Sequence, residues 1–445
     1  MAGGMLSAEK NEHLTKVGRG TPMGDLLRCY WLPLLYSDEL SEPDGAPLRI
    51  QLLGEKLVAF RDSSGRVGLL HHNCPHRGAS LFYGRNEQDG LRCAYHGWKF
   101  DVAGECLEIP SEGESCPLLD KVKARAYPCR EANGIIWTYM GTGSLPPSPT
   151  MGWAAVPAGR KTRLKYIRHC NWVQAMEGDF DSAHLGFLHR NLSSDLPSDG
   201  FIKRTGGDAL RSIVALDTQP SIEVKNSDCG VIYGASRNAP DGRSYWRVTQ
   251  FHLPFYTSIP AYGGLNRLKI WVPMDDRHTM VWEANWSATH DLDAERRRGI
   301  AGRVGPSGFL PASDDWHGRG RFAARADNDY LIDRTRQKTV NFSGMEDATP
   351  VQDAAMQESM GPIVDRTCEH LVASDAAIIR MRQCLLRAAE TLKSDGVLPA
   401  GVADPALYHS HGVQGLGEAG DWEKDYVLLM ADFYGAMFES GWSDP

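Results

Sequence analysis

The sequence reads Cys74-Pro75-His76, then residues 77–92, then Cys93-Ala94-Tyr95-His96. Two thiolates and two imidazoles in this paired order are soft ligands. They can hold one tetrahedral zinc, or a two-iron, two-sulfide cluster with both cysteines on one iron and both histidines on the other. A Cys and a His separated only by Pro75 is tighter than zinc-finger spacing, and Gly78, Gly97 and Trp98 flank the ligands. Glycines let backbone N–H groups approach bridging sulfides closely, so the flanks favour the cluster.

Outward from this stretch, residues 48–140 break into short β segments separated by turn residues: LRIQLLG, KLVAFRD, VGLLHHN, LRCAYHGWKFD and GIIWTYM. They predict a small antiparallel β domain that carries the ligands on two loops. Before it, residues 1–47 form a helical segment expected to pack on the later domain. Within that segment TPMGDLLRCYWLP (21–33) reads as an amphipathic helix capped by Thr21, with Pro22 in its first turn and Leu26, Leu27 and Trp31 on its packed face. GTGSLPPSPT (141–150) reads as a linker.

Residues 151–445 make the second, larger domain. TRLKYIRHC, LRSIVALDT, GVIYGAS, SYWRVTQFHLPF, LNRLKIWVP and HTMVWEANWSAT predict one large antiparallel sheet, with residues 290–345 as turn-rich excursions over it. The C-terminal part is helical, with one helix around Ala354–Met356 and another capped by Ser374 that runs to about Lys393 before Gly396. The expected class is α+β.

A chain of 445 residues suits two domains, and a net charge of −8 gives no electrostatic reason to bind nucleic acid or an anionic membrane. There is no signal-peptide core at the N-terminus and no apolar run long enough to span a bilayer, so the expectation is a cytoplasmic protein. Ten scattered cysteines then imply thiols and metal ligands rather than disulfides.

A second ligand set lies between two of the predicted strands, in NWVQAMEGDFDSAHLGFLH (171–189). On a helix Asp181 and His184 share a face, whereas His184 and His189 converge only if the helix bends, which Gly186 permits. Asp347, Asp353 and Glu358 are all eligible by spacing as a third ligand.

The first stretch resembles a Rieske motif, Cys-x-His followed by Cys-x-x-His. Glu177-x3-Asp181-x2-His184-x4-His189 after it resembles the catalytic segment of the Rieske non-haem iron ring-hydroxylating oxygenases, large (alpha) subunit, in order along essentially the whole chain. That resemblance implies a [2Fe-2S] cluster on Cys74, His76, Cys93 and His96, and a mononuclear Fe(II) on His184, His189 and a carboxylate, with O2 as cosubstrate. Val351-Gln352-Asp353-Ala354-Ala355 matches the family's later carboxylate segment, which selects Asp353. Asp181 is implied as the acid that bridges His184 to a cluster imidazole of a neighbouring subunit, in a homotrimer or stacked hexamer. The implied larger domain is of helix-grip type.

TPMGDLLRCYW, CPHRGASLFYGRNE, YHGWKFD and QDAAMQESMGPIVDRT look most like the phthalate dioxygenase group, and the short Glu177 to Asp181 spacing agrees. The resemblance implies an aromatic acid substrate, such as a phthalate, chlorobenzoate or phenoxybenzoate. It also implies electrons from an NAD(P)H-dependent iron–sulfur flavoprotein reductase or a ferredoxin. Cis-dihydroxylation is the expected reaction, with O-demethylation or monooxygenation of a methoxylated acid as the alternative. A Rieske electron-transfer protein without oxygenase chemistry would need only the N-terminal part of the chain.

For the substrate, period-two alternation in SYWRVTQF puts Tyr245, Arg247, Thr249 and Phe251 on one strand face. An arginine among aromatics suits a bidentate grip on a carboxylate, and an internal salt bridge is the competing reading. Arg204 is a second candidate.

Overall fold

The computed structural model describes residues 5–113, 116–148, 152–192, 207–261, 265–408, 411–418 and 422–439. Thr21 caps its helix as expected, accepting the Gly24 N–H at 3.1 Å. That helix ends at Arg28 instead of running on to Pro33. Trp31 belongs to a strand, β1 (Trp31–Tyr36), with every residue buried. Pro33 has no N–H to donate and disfavours helix in the residue before it, so the chain takes the extended alternative.

The cluster-motif region follows as β2 (Leu48–Leu52), β3 (Glu55–Arg61), β4 (Val67–His71), β5 (Arg85–Glu87), β6 (Gly90–Arg92), β7 (Lys99–Phe100), β8 (Cys106–Glu108), β9 (Cys129–Ala132) and β10 (Ile135–Tyr139). They pair as three antiparallel sheets, ordered β2-β3-β4, β5-β6-β7-β8 and β1-β10-β9. LRCAYHGWKFD is two strands, β6 and β7, and the loop between them carries Cys93 and His96. Val58, Phe60, Leu70, Leu81, Leu91 and Phe100 form a small core that also encloses Cys74 and Cys93.

The larger domain is built on β11 (Lys161–Arg168), β12 (Ser221–Ser227), β13 (Gly230–Asn238), β14 (Ser244–His252), β15 (Tyr256–Pro260), β16 (Asn266–Pro273), β17 (Thr279–Trp286) and β18 (Val413–Gly417). Its antiparallel sheet runs β11-β17-β16-β15-β14-β13-β12, and β18 pairs with β14. LRSIVALDT is not a strand of this sheet. It lies in the helix Gly207–Leu216, which packs Leu210, Ile213 and Val214 against Ala239, Tyr245 and Leu185. Spacing of i, i+3, i+4 is the helical period, and here it outweighs the β-branched composition.

The helix Thr349–Ser359 lies where expected. The later helix spans Ala376–Asp395 and ends on Gly396 at φ 66°, a left-handed cap. Ser374 is not its cap. It sits inside a preceding 3-10 turn, Ala373–Asp375, and Asp375 holds the N-cap position. None of the ten cysteines is in a disulfide, and no helix of the described residues is long and apolar enough to cross a membrane.

Candidate metal centres

The two cluster-motif loops are built alike. Gly78 N–H donates to the Cys74 carbonyl and Gly97 N–H to the Cys93 carbonyl, each at 2.9 Å, while Cys74 and Cys93 N–H donate to Ala79 and Trp98 carbonyls, each at 2.8 Å. Both glycines sit at φ 77°, where a side chain would be strained. The loops bury the thiols of Cys74 and Cys93 and leave the His76 and His96 rings half-buried at the rim, 4.6 Å apart and crossed at 71°. Trp98 stacks on His76 at 4.4 Å and fixes its ring. Two inward thiols and two outward imidazoles match a [2Fe-2S] cluster with one cysteine-held and one histidine-held iron.

The second set forms where a helix gives out. Trp172–Glu177, capped by Asn171, ends as Glu177 meets Arg366 and Arg382 at 3.1 and 2.7 Å, and a short turn at Gly178–Phe180 follows. Asp181 is therefore extended, not helical, and it meets His184 through a local turn. Its Oδ1 accepts the N–H of Ala183 at 2.7 Å and of His184 at 3.3 Å, and its Oδ2 lies 3.3 Å from His184 Nδ1. Beyond Gly186 the chain bends, and the His184 and His189 rings come to 5.0 Å with an interplanar angle of 78°. Asp353, on the helix Thr349–Ser359, closes the group: its Oδ1 is 3.0 Å from His189 Nε2 and 3.9 Å from His184 Nε2.

These three side chains are arranged as for a cation. Gln352 Nε2 donates to the Glu346 carbonyl at 2.8 Å, so its Oε1 faces His189 as an acceptor and takes the Nδ1–H at 2.7 Å. His189 Nε2 then points a lone pair at an anionic oxygen 3.0 Å away, an apposition that a positive ion between them relieves. With the imidazoles protonated in place of a bound ion, burial still raises the Asp353 carboxyl, but the positive charge of His189 and His184 outweighs it and holds the group far below its usual range. For His184 burial works downward and Asp181 upward, with a net rise, while the Asp181 carboxyl is lowered by the same pair despite its burial. The other eligible acids are engaged elsewhere, Asp347 with Arg336 and Asn341, and Glu358 with Tyr330 and the His169 N–H.

A further group, Asp275, His278 and His317, is also close enough to share an ion. Its imidazoles are stacked at 3.8 Å and 23°, with Asp275 2.9 Å from His278 Nδ1 and 3.6 Å from His317 Nε2, whereas the rings of His184 and His189 are crossed at 78°.

His184, His189 and Asp353 open into a cavity of about 410 Å³ floored by one face of the sheet. Arg247 and Thr249 line it as expected, and Arg247 donates to Tyr245 Oη at 3.1 Å and Gln414 Oε1 at 2.9 Å. Phe251 belongs to the core instead, and Arg204 lies outside the described residues. Arg267, Lys269 and Arg303 also line the cavity and were not expected there. Alternation in LNRLKIWVP could have placed the first two, while Arg303 comes from an excursion with no periodic signal.

A family model described as Rieske [2Fe-2S] domain matches residues 30–128, and one described as LigXa C-terminal domain like matches residues 138–424. The chain is 39% identical over 95% of its length to the 3-chlorobenzoate-3,4-dioxygenase oxygenase subunit of Comamonas testosteroni, covering 98% of that protein. It is 38% identical to the phthalate 4,5-dioxygenase oxygenase subunit of Pseudomonas putida, over 86% of each chain. Among solved structures, the oxygenase in the reduced oxygenase–ferredoxin complex of carbazole 1,9a-dioxygenase shares the fold, with a TM-score of 0.52 at 17% identity over 90% of this chain and 98% of that one. With a cluster-binding β domain, a second gathered metal site and relatives of matching length, this chain belongs to the Rieske non-haem iron oxygenases and is an oxygenase subunit that uses a [2Fe-2S] cluster, mononuclear iron and O2.

Proposed function

We propose that the protein hydroxylates an aromatic carboxylate, with Arg247 gripping the acid group and His184, His189 and Asp353 holding the iron that faces the ring. The observation that carries this reading is the single cavity shared by the three ligands and Arg247. When bound, the cluster supplies electrons one at a time and the iron supplies the reduction of O2. The side chains do the rest. Thr249 and Ile259 floor the cavity beside Arg247, Gln352 fixes His189, and Asp181 orients His184.

Asp181 further serves as the bridge to a cluster imidazole of a neighbouring copy, in a homotrimer or stacked hexamer. Exposed apolar side chains near both ends of that contact support the arrangement. Tyr95 lies between the cluster ligands Cys93 and His96, while Phe187 and Met356 lie three residues beyond His184 and Asp353. The electron donor is an NAD(P)H-dependent iron–sulfur flavoprotein reductase, or a ferredoxin of the kind seen with the carbazole oxygenase.

Cis-dihydroxylation puts both oxygen atoms on the ring, whereas O-demethylation of a methoxylated acid releases formaldehyde. The test is anaerobic reduction, then O2 uptake with a series of aromatic acids and product analysis. An acid that gives diol equal to O2 consumed is the expected result. If Arg247→Met keeps its affinity for every acid tried, with both metals in place, the grip is not at Arg247. A loss of about 2–5 kcal/mol is expected instead, because an acid left without its fork stays desolvated.

A further inference from the structure

One wall of the cavity carries a charge that Arg247 does not account for. Arg267 and Arg303 both line the cavity and both pair with a single carboxylate, Glu283, at 3.4 and 2.9 Å. Glu283 is fully buried, and the two arginines are mostly buried, at 17% and 14% exposed. Its Oε1 also accepts the Asn285 amide at 2.9 Å, and Arg267 Nε donates to Asn285 Oδ1 at 2.8 Å. Asn285 is neutral, so two guanidiniums face one anion and a net positive charge remains. Burial and the Arg303 charge lower Arg267 to about 10, which still leaves it protonated at neutral pH. Lys269, its neighbour on the strand, does not add to this excess: it is matched by Asp179 at 2.7 Å, and Asp179 accepts the Thr257 hydroxyl as well.

The sheet sets the distance between this wall and Arg247. Arg267 on β16 pairs with Ile259 on β15, and β15 in turn pairs with β14, which carries Arg247. Strands lie about 4.8 Å apart, so the two arginine-bearing strands are roughly 10 Å apart. Arg267 turns its head toward Glu283 and Asn285 on β17, away from β15, while Arg247 is held at Gln414 and the Pro260 carbonyl, so the two guanidiniums point apart and suit two acid groups better than one. One aromatic ring lying over Ile259 and Thr249, with an acidic group toward each wall, can serve both.

We propose that Arg267 and Arg303 form a second anion subsite, so that the substrate is an aromatic dicarboxylate with its acid groups on non-adjacent ring positions. The first group sits on Arg247, and to that extent the inference rests on the function proposed above. An excess buried cation is costly on its own and is offset when an anion docks.

The probes are benzoate, phthalate, isophthalate and terephthalate, titrated calorimetrically into the anaerobic, iron-loaded enzyme. Isophthalate or terephthalate is expected to bind about tenfold tighter than benzoate or more. Arg303→Gln should erase that advantage and leave benzoate nearly unchanged, and Arg303→Lys should restore part of it because the charge returns without the fork. Iron and sulfide contents serve as the folding control. Equal affinity of the wild type for benzoate and all three diacids overturns the subsite without any variant, and so does an Arg303→Gln enzyme that weakens benzoate and diacids alike. If Arg247→Met changes no affinity while the Arg303-dependent preference persists, the Arg247 reading falls and the second subsite stands.

Discussion

Asp181 shows how much a single residue can be asked to do at this site. It is no ligand of the triad. Its carboxylate fixes the His184 ring from the side opposite Asp353, and hydrogen bonds from two backbone N–H groups hold it in place. Removing such an orienting partner ordinarily lowers activity or metal affinity about 10–100-fold. In Asp181→Ala the cluster should still reduce, and its re-oxidation with substrate and O2 should slow by a factor in that range. Stopped-flow spectroscopy at the cluster band reads this directly, and an unchanged rate in a fully metallated variant would remove the bridging role. His184→Ala differs in kind, because it should lose the mononuclear iron itself.

At the scale of elements, the pleated sheet sets the electrostatics. Lys269 and Glu283 stand opposite each other on β16 and β17, and Arg303 reaches the same carboxylate from an excursion. Burial raises the Glu283 carboxyl, but Arg303, Arg267 and Lys269 outweigh it and bring the group from 4.5 to about 2. A carboxyl lowered on folding stabilises the native state fully above its unfolded value, and that stability is lost as pH falls from about 4.5 toward 2. The increment is roughly 3 kcal/mol. Urea denaturation at pH 7 and pH 3 should therefore show a steeper acid loss in the wild type than in Glu283→Gln, and parallel losses would contradict the ion-pair account. The elements also show what was legible in the sequence. The cluster ligands could be read because identity and spacing are local, and their strands because turn residues punctuate them. LRSIVALDT is ambiguous by itself, because a short apolar run fits either period until its packing partners are known. Asp181 and His184 meet through a turn and not along a helix face, since the helix stops at Glu177. Asp353 needed a resemblance, because no spacing rule reaches from His189 to a distant helix. Arg303 carried no signal, since only the folded excursion brings it to the cavity.

On the scale of the whole molecule, the chain keeps two metal centres in two separate cores. Cys74 and Cys93 belong to the small β core, while the helix before Asp181 and the sheet beneath the cavity belong to the large one. Contacts across the junction hold the two bodies in register: Trp316 packs its ring edge-on to His72, just ahead of Cys74, and Gln51 donates to Asp275 at 2.9 Å. This one chain is expected to carry both centres, on separate ligand sets. The measurement that tests this most directly is iron and acid-labile sulfide per chain after anaerobic reconstitution, in the wild type and in His184→Ala. About three irons and two sulfides are expected for the wild type, and about two and two for the variant with the Rieske spectrum unchanged. One iron with no sulfide in the wild type, or loss of sulfide along with iron in His184→Ala, would contradict that expectation.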